Sequence, residues 1–555
     1  MADYGLVSLA PPLLAIGLAI VTRKAVLSLF LGIWAGGVLV SGGLGLSQTF
    51  DWIVTAMADE LHARILLFTL LLGSGVGMVW RLGGSLALRN WAIERLDTPR
   101  KAGLVAWLLG ILLFFDDYAN TAIVGSTMKD VSDRLAISRE KLSYVVDSTA
   151  APVATLGISS WVAFQLGLIA DAYAQLGVES APPAFAVFLR SIPFNAYSIL
   201  AVAMVAIVVA TGRDYGEMLD AEARARRTGA VVRDGSTPMQ DVEGTLGTPG
   251  VTDPRLIAFF GPVAVLLAVT IGTALWSGYE PGASFYDVVT GADYAAALVY
   301  GSFAMVGSGF LLGKTLDVMT IGELTDTVVD GFGIMLTAVS ILVLAWGLGE
   351  AVDALGTGNY VASYATSVID PAVLPVVVLL TGAFVAFSTG TSWGAMAILT
   401  PIVVPVAWRL TGDHTLVAAV VGAVFSGAIF GDHTSPISDT TVLSATFTGA
   451  DLVDHVRTQF YYAVTVAVVA VAVLLAWGAT GVTPLAWLPL GVLVLVGLVY
   501  ALSELDATRK GLDPTVATRT GDQSPDDDAP STPADADDPN ADGDSYESDS
   551  HRQEF

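Results

Sequence analysis

The chain has 555 residues, 54% of them hydrophobic and 14% charged, well below the roughly one-quarter charged residues of a soluble domain. It has no cysteine, which excludes disulfides, thiolate metal sites and cysteine nucleophiles. Of the net charge of −26, residues 501–555 contribute −11, and the chain has six lysines against 20 arginines; this acidic, lysine-poor surface points to a halophilic, archaeal source and says nothing about function.

Apolar runs such as 65–80, 192–210 and 485–500 each approach the roughly 20 residues that cross a bilayer as a helix. About ten or more such runs fit along the chain. Short alternating barrel strands are missing, so the expected class is an all-α polytopic protein of the plasma membrane. The first run starts at Leu6 without a basic leader and ends at Arg23 and Lys24, which reads as a first span and not as a cleaved signal.

The positive-inside bias sets the orientation. Arg23, Lys24 and the stretch 81–101 fall inside, as does 211–255 with Arg213, Arg224, Arg226, Arg227, Arg233 and Arg255. Stretches 46–60, 171–184, 278–293 and 350–370 carry few basic residues and fall outside. The expected organisation is a first transmembrane repeat (1–210), a cytoplasmic basic loop (211–255), a second transmembrane repeat (256–500) and a disordered acidic tail (501–555).

Counting sides adds a constraint. With Lys101 and the segment after Ala210 both inside, an odd number of crossings must separate Lys101 from Arg190. Two apolar stretches lie there, 102–128 and 142–168, so one of them must be re-entrant or broken. Both carry aspartates. Asp116-Asp117-Tyr118-Ala119-Asn120-Thr121 interrupts the first, and Asp147-Ser148-Thr149-Ala150-Ala151-Pro152 the second. The later half has a loose copy: Ser388-Thr389-Gly390-Thr391-Ser392-Trp393-Gly394, then Asp432-His433-Thr434-Ser435-Pro436-Ile437-Ser438-Asp439. Matching breaks in both halves predict two inverted-topology repeats with broken or re-entrant helices near the bilayer midplane.

Ionisable groups inside apolar spans are costly unless they pair, line water or work. The densest group is 431–441, with Asp432, Asp439, His433 and five hydroxyls. Pro436 removes a backbone donor there, so an unwound segment is expected. Carboxylates, hydroxyls and freed carbonyls would form a hard oxygen cage for a dehydrated cation. The competing reading makes Asp and Ser helix caps. It accounts for one residue, not for the density. Asp147, Ser148 and Thr149 form a second candidate set. For Asp117 with Asn120, and for Thr391 with Ser392, a binding role competes evenly with capping or helix packing. The Asp-His pairs 413–414, 432–433 and 454–455 match no zinc spacing, and His455 reads as interfacial in a polar stretch 451–459. Gly73, Gly75 and Gly77 read as helix packing.

The run Phe430-Gly431-Asp432-His433-Thr434-Ser435-Pro436-Ile437-Ser438-Asp439-Thr440-Thr441, followed by Asp454-His455-Val456-Arg457-Thr458-Gln459, closely resembles the NhaC family of sodium/proton antiporters. So do Asp116-Asp117-Tyr118-Ala119-Asn120, Asp147-Ser148-Thr149-Ala150-Ala151-Pro152 and Ser159-Ser160-Trp161. The resemblance covers most of residues 5–500; the enlarged 211–255 segment and the acidic tail depart from it. It implies an inverted-repeat transporter, not an enzyme, exchanging Na+ for H+ with no cofactor beyond the transported ions, and with a homodimer as the candidate assembly.

A buried carboxylate suits such exchange, because an apolar medium favours its protonated form and an adjacent sodium ion its ionised form. Asp439 and Asp432 are the expected principal carboxylates, and Asp147 contributes from the first repeat to holding the transported Na+. Thr434, Ser438, Thr149 and Ser148 are candidate oxygen ligands; Asp117, Asn120, Thr391 and Ser392 are candidates to line the path. The alternative on the same scaffold is an organic acid or amino acid antiporter, of malate/lactate or arginine/ornithine type. An intramembrane aspartyl protease is disfavoured, since Ile429 stands where its Gly-x-Gly-Asp motif needs glycine.

Overall fold

The computed structural model describes residues 4–22, 24–178, 181–237, 251, 253–357, 360, 370–436 and 438–515. It is helical, with no strand among the described residues. The helices in chain order are α1 Ala10–Thr22, α2 Ala25–Ser41, α3 Leu46–Ala58, α4 Glu60–Arg81, α5 Gly84–Arg95, α6 Pro99–Leu112, α7 Asp117–Arg134, α8 Arg139–Ala154, α9 Ser160–Leu176, α10 Ala184–Ser191 and α11 Ala196–Thr211. The chain continues through α12 Glu217–Thr228, α13 Ile257–Ser277, α14 Phe285–Thr290, α15 Tyr294–Thr315, α16 Ile321–Ala354, α17 Leu374–Thr389, α18 Ser392–Thr411, α19 His414–Thr434, α20 Asp439–Thr448, α21 Leu452–Thr480 and α22 Pro484–Lys510. Among the described residues seven helices are by themselves long and apolar enough to cross a membrane, and three bent pairs bring the total to ten. Outward side chains such as Leu493, Val468 and Phe384 stand more than half exposed, the surface expected where lipid is the solvent.

The parity constraint is met by a hairpin. α6 and α7 turn at 113–116, and Arg134 at the end of α7 donates to the Leu96 carbonyl just before α6 at 2.6 Å. Both ends of this hairpin therefore lie on one face. The next element crosses but is interrupted: α8 stops at Ala154 and α9 resumes at Ser160.

The second half repeats the plan upside down. α17 and α18 turn at Gly390, whose φ of +69° suits glycine. A methyl on Gly427 would lie 2.2 Å from the Leu379 carbonyl oxygen, and one on Gly431 would lie 2.4 Å from that of Ala383. Equal steps of four residues in both helices mean that α17 runs beside α19 in the same direction. α18 leads straight back to His414, and α17 starts part-way along α19, so both arms of this hairpin extend toward the side where α19 begins. The broken elements α8–α9 and α19–α20 then run antiparallel. Arg139 at the start of one donates to the Gly449 carbonyl at the end of the other at 3.0 Å. At the opposite face the Tyr173 hydroxyl meets His414 Nδ1 at 2.9 Å.

Glycines of α4 do serve packing. A methyl on Gly73 would sit 2.4 Å from the Gly331 carbonyl oxygen of α16, and Ser74 donates to the Val328 carbonyl at 2.8 Å. Two expected boundaries move. The stretch expected as a loop after 211 folds into α12, and α22 runs to Lys510, so residues 501–510 are helical and not tail. The reason is mutual anchoring: Arg213 pairs with Glu504 at 3.2 Å and Lys510 with Asp220 at 2.8 Å, while Ser503 and Ala507 are buried.

Candidate functional site

The break after α19 follows from Pro436, which supplies no amide hydrogen to continue the helix. The chain turns there, with the Ser435 amide donating to the Asp432 carbonyl at 3.1 Å. Asp432 is fully buried. Its carboxylate accepts hydrogen bonds from the hydroxyls of Ser438 and Thr440, which stand 3.1 Å from each other. Its own carbonyl accepts from Thr441 at 3.2 Å. Ser438 occupies the cap position of α20, yet its side chain caps no backbone amide. Its hydroxyl goes to Asp432 instead, which a plain cap would not do. Thr434 donates back to the Phe430 and Gly431 carbonyls at 2.8 and 3.2 Å. Asp439 is the first residue of α20; its side chain lies outside the described residues.

Asp147 lies in α8, again fully buried. One carboxylate oxygen accepts from Ser444 of α20 at 3.0 Å, the other from Gln459 Nε2 of α21 at 2.6 Å. His455 Nε2 is 3.4 Å from the same oxygen as Gln459. Gln459 also donates to the His433 carbonyl at 2.9 Å, and His433 Nδ1 meets the Tyr197 hydroxyl at 3.0 Å. Gln459 thus ties the Asp147 carboxylate to the residue next to Asp432.

This corrects the sequence reading of His455 as interfacial, since it is fully buried. Asp451 accepts from the amides of Val453 and Asp454 at 2.9 and 3.1 Å and starts α21 there. The stretch 452–459 is therefore the first two turns of a helix, and the i, i+4 spacing brings His455 and Gln459 to one face. Asp454 lies on another face and pairs with Arg233 at 2.9 Å. That spacing, inside the polar stretch 451–459, was the signal available.

The tip of the first hairpin packs on the break between α8 and α9. Ser160 donates to Asp116 at 3.2 Å, Trp161 Nε1 donates to Asp117 at 2.8 Å, and the Ser160 amide donates to the Phe115 carbonyl at 3.1 Å. Asn120 donates to the carbonyls of Gly110 and Thr149 at 2.7 and 3.0 Å, fastening both arms of the hairpin to α8. Thr149 turns its hydroxyl to the Val145 carbonyl at 2.7 Å and packs on Gly110, where a methyl would lie 2.1 Å from that hydroxyl. Ser148 is buried one residue before it. In the second hairpin Thr391 caps α18 by accepting from the Gly394 amide at 3.3 Å, and Ser392 donates to the Ala428 carbonyl at 3.0 Å. Trp161 and Trp393, each the second residue of its helix, meet edge to face at 5.8 Å.

The buried set joins α8, α19, α20 and α21, with Asp432 and Asp147 as its carboxylates among the described side chains. Hydroxyl oxygens, an amide and two imidazoles surround them. Such a set can hold a small cation or exchange protons.

Residues 153–479 match the family model described as the Na+/H+ antiporter family. An uncharacterised protein of Haemophilus influenzae is 33% identical over 479 residues, covering 83% of this chain and 88% of that protein. Shorter stretches match the Na+/H+ antiporter NhaC of Alkalihalophilus pseudofirmus (30% over 161 residues, 29% of this chain and 31% of that one). The malate-2H+/Na+-lactate antiporter of Bacillus subtilis matches similarly (32% over 142 residues, 26% and 30%). The crystal structure of the YdaH transporter of Alcanivorax borkumensis has the same fold, with a TM-score of 0.55 at 15% identity over 80% of this chain and 90% of that one.

Proposed function

This chain belongs to the Na+/H+ antiporter family, a family of multi-pass membrane transporters, and we propose that it exchanges sodium for protons by alternating access to buried carboxylates. One observation carries the reading. A fully buried carboxylate lies in each of two broken elements that run in opposite directions, and each is wrapped by neutral oxygen, amide or imidazole partners.

Asp432 with Ser438 and Thr440 offers three oxygen-bearing side chains within one short segment. A hydroxyl that donates to a carboxylate can turn and present a lone pair to a cation instead. Sodium and a proton then compete for one carboxylate, because each neutralises it and the apolar surroundings disfavour leaving it bare. Asp147 is the second carboxylate of the cycle, and Asp439, beside Ser438, is proposed as a third. In this reading Ser148 and Thr149 are secondary ligands, the Thr149 hydroxyl keeping a lone pair after donating to the Val145 carbonyl, while Thr434, whose hydroxyl donates within its own helix, contributes little.

The names of two relatives favour different cargoes. The Alkalihalophilus relative supports sodium and protons, while the Bacillus relative, named for malate, lactate, Na+ and protons, supports an organic acid as the alternative. Proteoliposomes with an entrapped pH dye separate them. Proton movement on adding sodium alone, lost in Asp432→Asn, is the expected result. Silence toward sodium, lithium and potassium together with exchange of labelled malate, lactate, arginine or ornithine would replace it with the alternative.

A further inference from the structure

At the face carrying Arg139 and Gly449, a cleft lies between the first turns of α6, the early turns of α8, the end of α11 and the amphipathic α12. Its walls are mostly apolar, with Ala102, Ala106, Val145 and Val208 among them. At the α12 side stands Arg226, whose Nε and Nη2 are shielded from solvent and make no hydrogen bond among the described residues. Arg100 lines the same cleft. The other charged groups there are engaged: Lys141 pairs with Asp214, which also accepts from Tyr462 at 2.5 Å, and Glu222 accepts from the Ser138 amide at 2.8 Å.

Guanidinium donors shielded from solvent without an acceptor are costly, and their planar arrangement matches an anion with two or more oxygens. Burial pulls Arg226 below the ordinary arginine value despite the pull of Glu222 and Asp214, so an added anion would relieve it. The cleft lies at the start of α6 and the end of α11, on the arginine-rich side that the positive-inside bias assigns to the cytoplasm. Basic pockets between helices on that side are a recurrent lipid-binding geometry.

We propose that this cleft binds an anionic membrane lipid, with its phosphate on Arg226 and Arg100 and an acyl chain along the apolar wall of α6, α8 and α11. The bound lipid would brace the first hairpin against the helix that carries Asp147.

The full-length protein, purified in detergent and stripped of lipid, is titrated with phosphatidylglycerol or with phosphatidylcholine of the same chains, and retention is read by native mass spectrometry. Phosphatidylglycerol should be retained in preference. Its retention should weaken roughly fivefold in Arg226→Gln, and similarly in Arg100→Gln at an exposed position less exposed to folding failure. Arg226→Lys should keep most of it. Equal retention of the two lipids, or no loss in either glutamine variant, overturns the proposal. Displacement of phosphatidylglycerol by inorganic phosphate at equal concentration would make this a free-anion site and also overturns it.

Discussion

Asp147 and His455 lie 3.4 Å apart, carboxylate oxygen to imidazole nitrogen, with neither side chain reaching solvent. The pair joins α8 to α21, and Gln459 and Ser444 complete the shell of the carboxylate. Asp147→Ala removes the acceptor of the Gln459 amide and the Ser444 hydroxyl, and leaving a buried donor unsatisfied costs about 1–3 kcal/mol. Asp147→Asn keeps an acceptor and the volume. The alanine variant should unfold at clearly lower temperature, and the asparagine variant should fold normally while losing sodium-driven proton movement in proteoliposomes. An asparagine variant with unaltered exchange would remove Asp147 from the transport cycle.

The hydroxyls on Asp432 should govern cation affinity. Ser438→Ala deletes the oxygen proposed to turn from Asp432 to the cation, and should raise the sodium concentration for half-maximal exchange by about tenfold, the equivalent of about 1.4 kcal/mol of ligand contribution. Thr434→Val should leave that concentration nearly unchanged, because Thr434 bonds to its own helix. Equal responses from the two variants, in a sodium titration of vesicle pH, would count against the oxygen set.

Asn120 acts as a strut. Its amide holds the Gly110 and Thr149 carbonyls together, and Asn120→Ala leaves both buried acceptors short of a donor. The expected cost is about 1–3 kcal/mol of stability, seen as a lower unfolding temperature with unchanged preference among sodium, lithium and potassium. A change of ion preference without loss of stability would give Asn120 a direct role on the path.

One cap outside the spans should titrate. Burial by itself pushes the Asp451 carboxyl up, but hydrogen bonds from Thr237 and from the amides of Asp454 and Val453 outweigh it and hold the group below its usual 3.8. A depressed carboxyl adds stability that is present above the unfolded value and is lost as pH falls through the folded value. Contact between the 233–237 segment and the start of α21 should therefore hold at pH 5 and loosen below about pH 3.8, as followed by hydrogen exchange of the Thr237 amide. In Asp451→Asn that acid-induced loosening should vanish.

Much of the scaffold was readable because its breaks are written locally. Asp116-Asp117, Pro152, Gly390 and Pro436 each mark an interruption or its edge, and the count of basic residues required a re-entrant element where α6 and α7 form one. The wiring between breaks was not readable. Asp147 and Gln459 are separated by 312 positions, and nothing in the polar stretch 451–459 says which of its faces meets α8. The Ser438 hydroxyl looks like any cap until Asp432 is seen beside it. Asn120 presented a polar group in an apolar run, which sequence alone assigns as readily to a path as to a strut. The α22 extension to Lys510 depended on partners in α12, a segment read as loop.

The antiparallel crossing of α8–α9 with α19–α20 has an electrical side. Both carboxylates stand part-way through the low-dielectric layer, since Arg139 and Gly449 mark one end and Tyr173 and His414 the other. A unit charge crossing the whole layer does about 2.3 kcal/mol of work per 100 mV, and a charge reaching Asp147 or Asp432 from either solution traverses only a fraction of it. The membrane voltage therefore acts on ion entry from one side and on ion release to the other as two separate partial steps. If the cycle moves unequal charge in its two directions, voltage will tilt both the apparent affinity and the turnover, and not turnover alone.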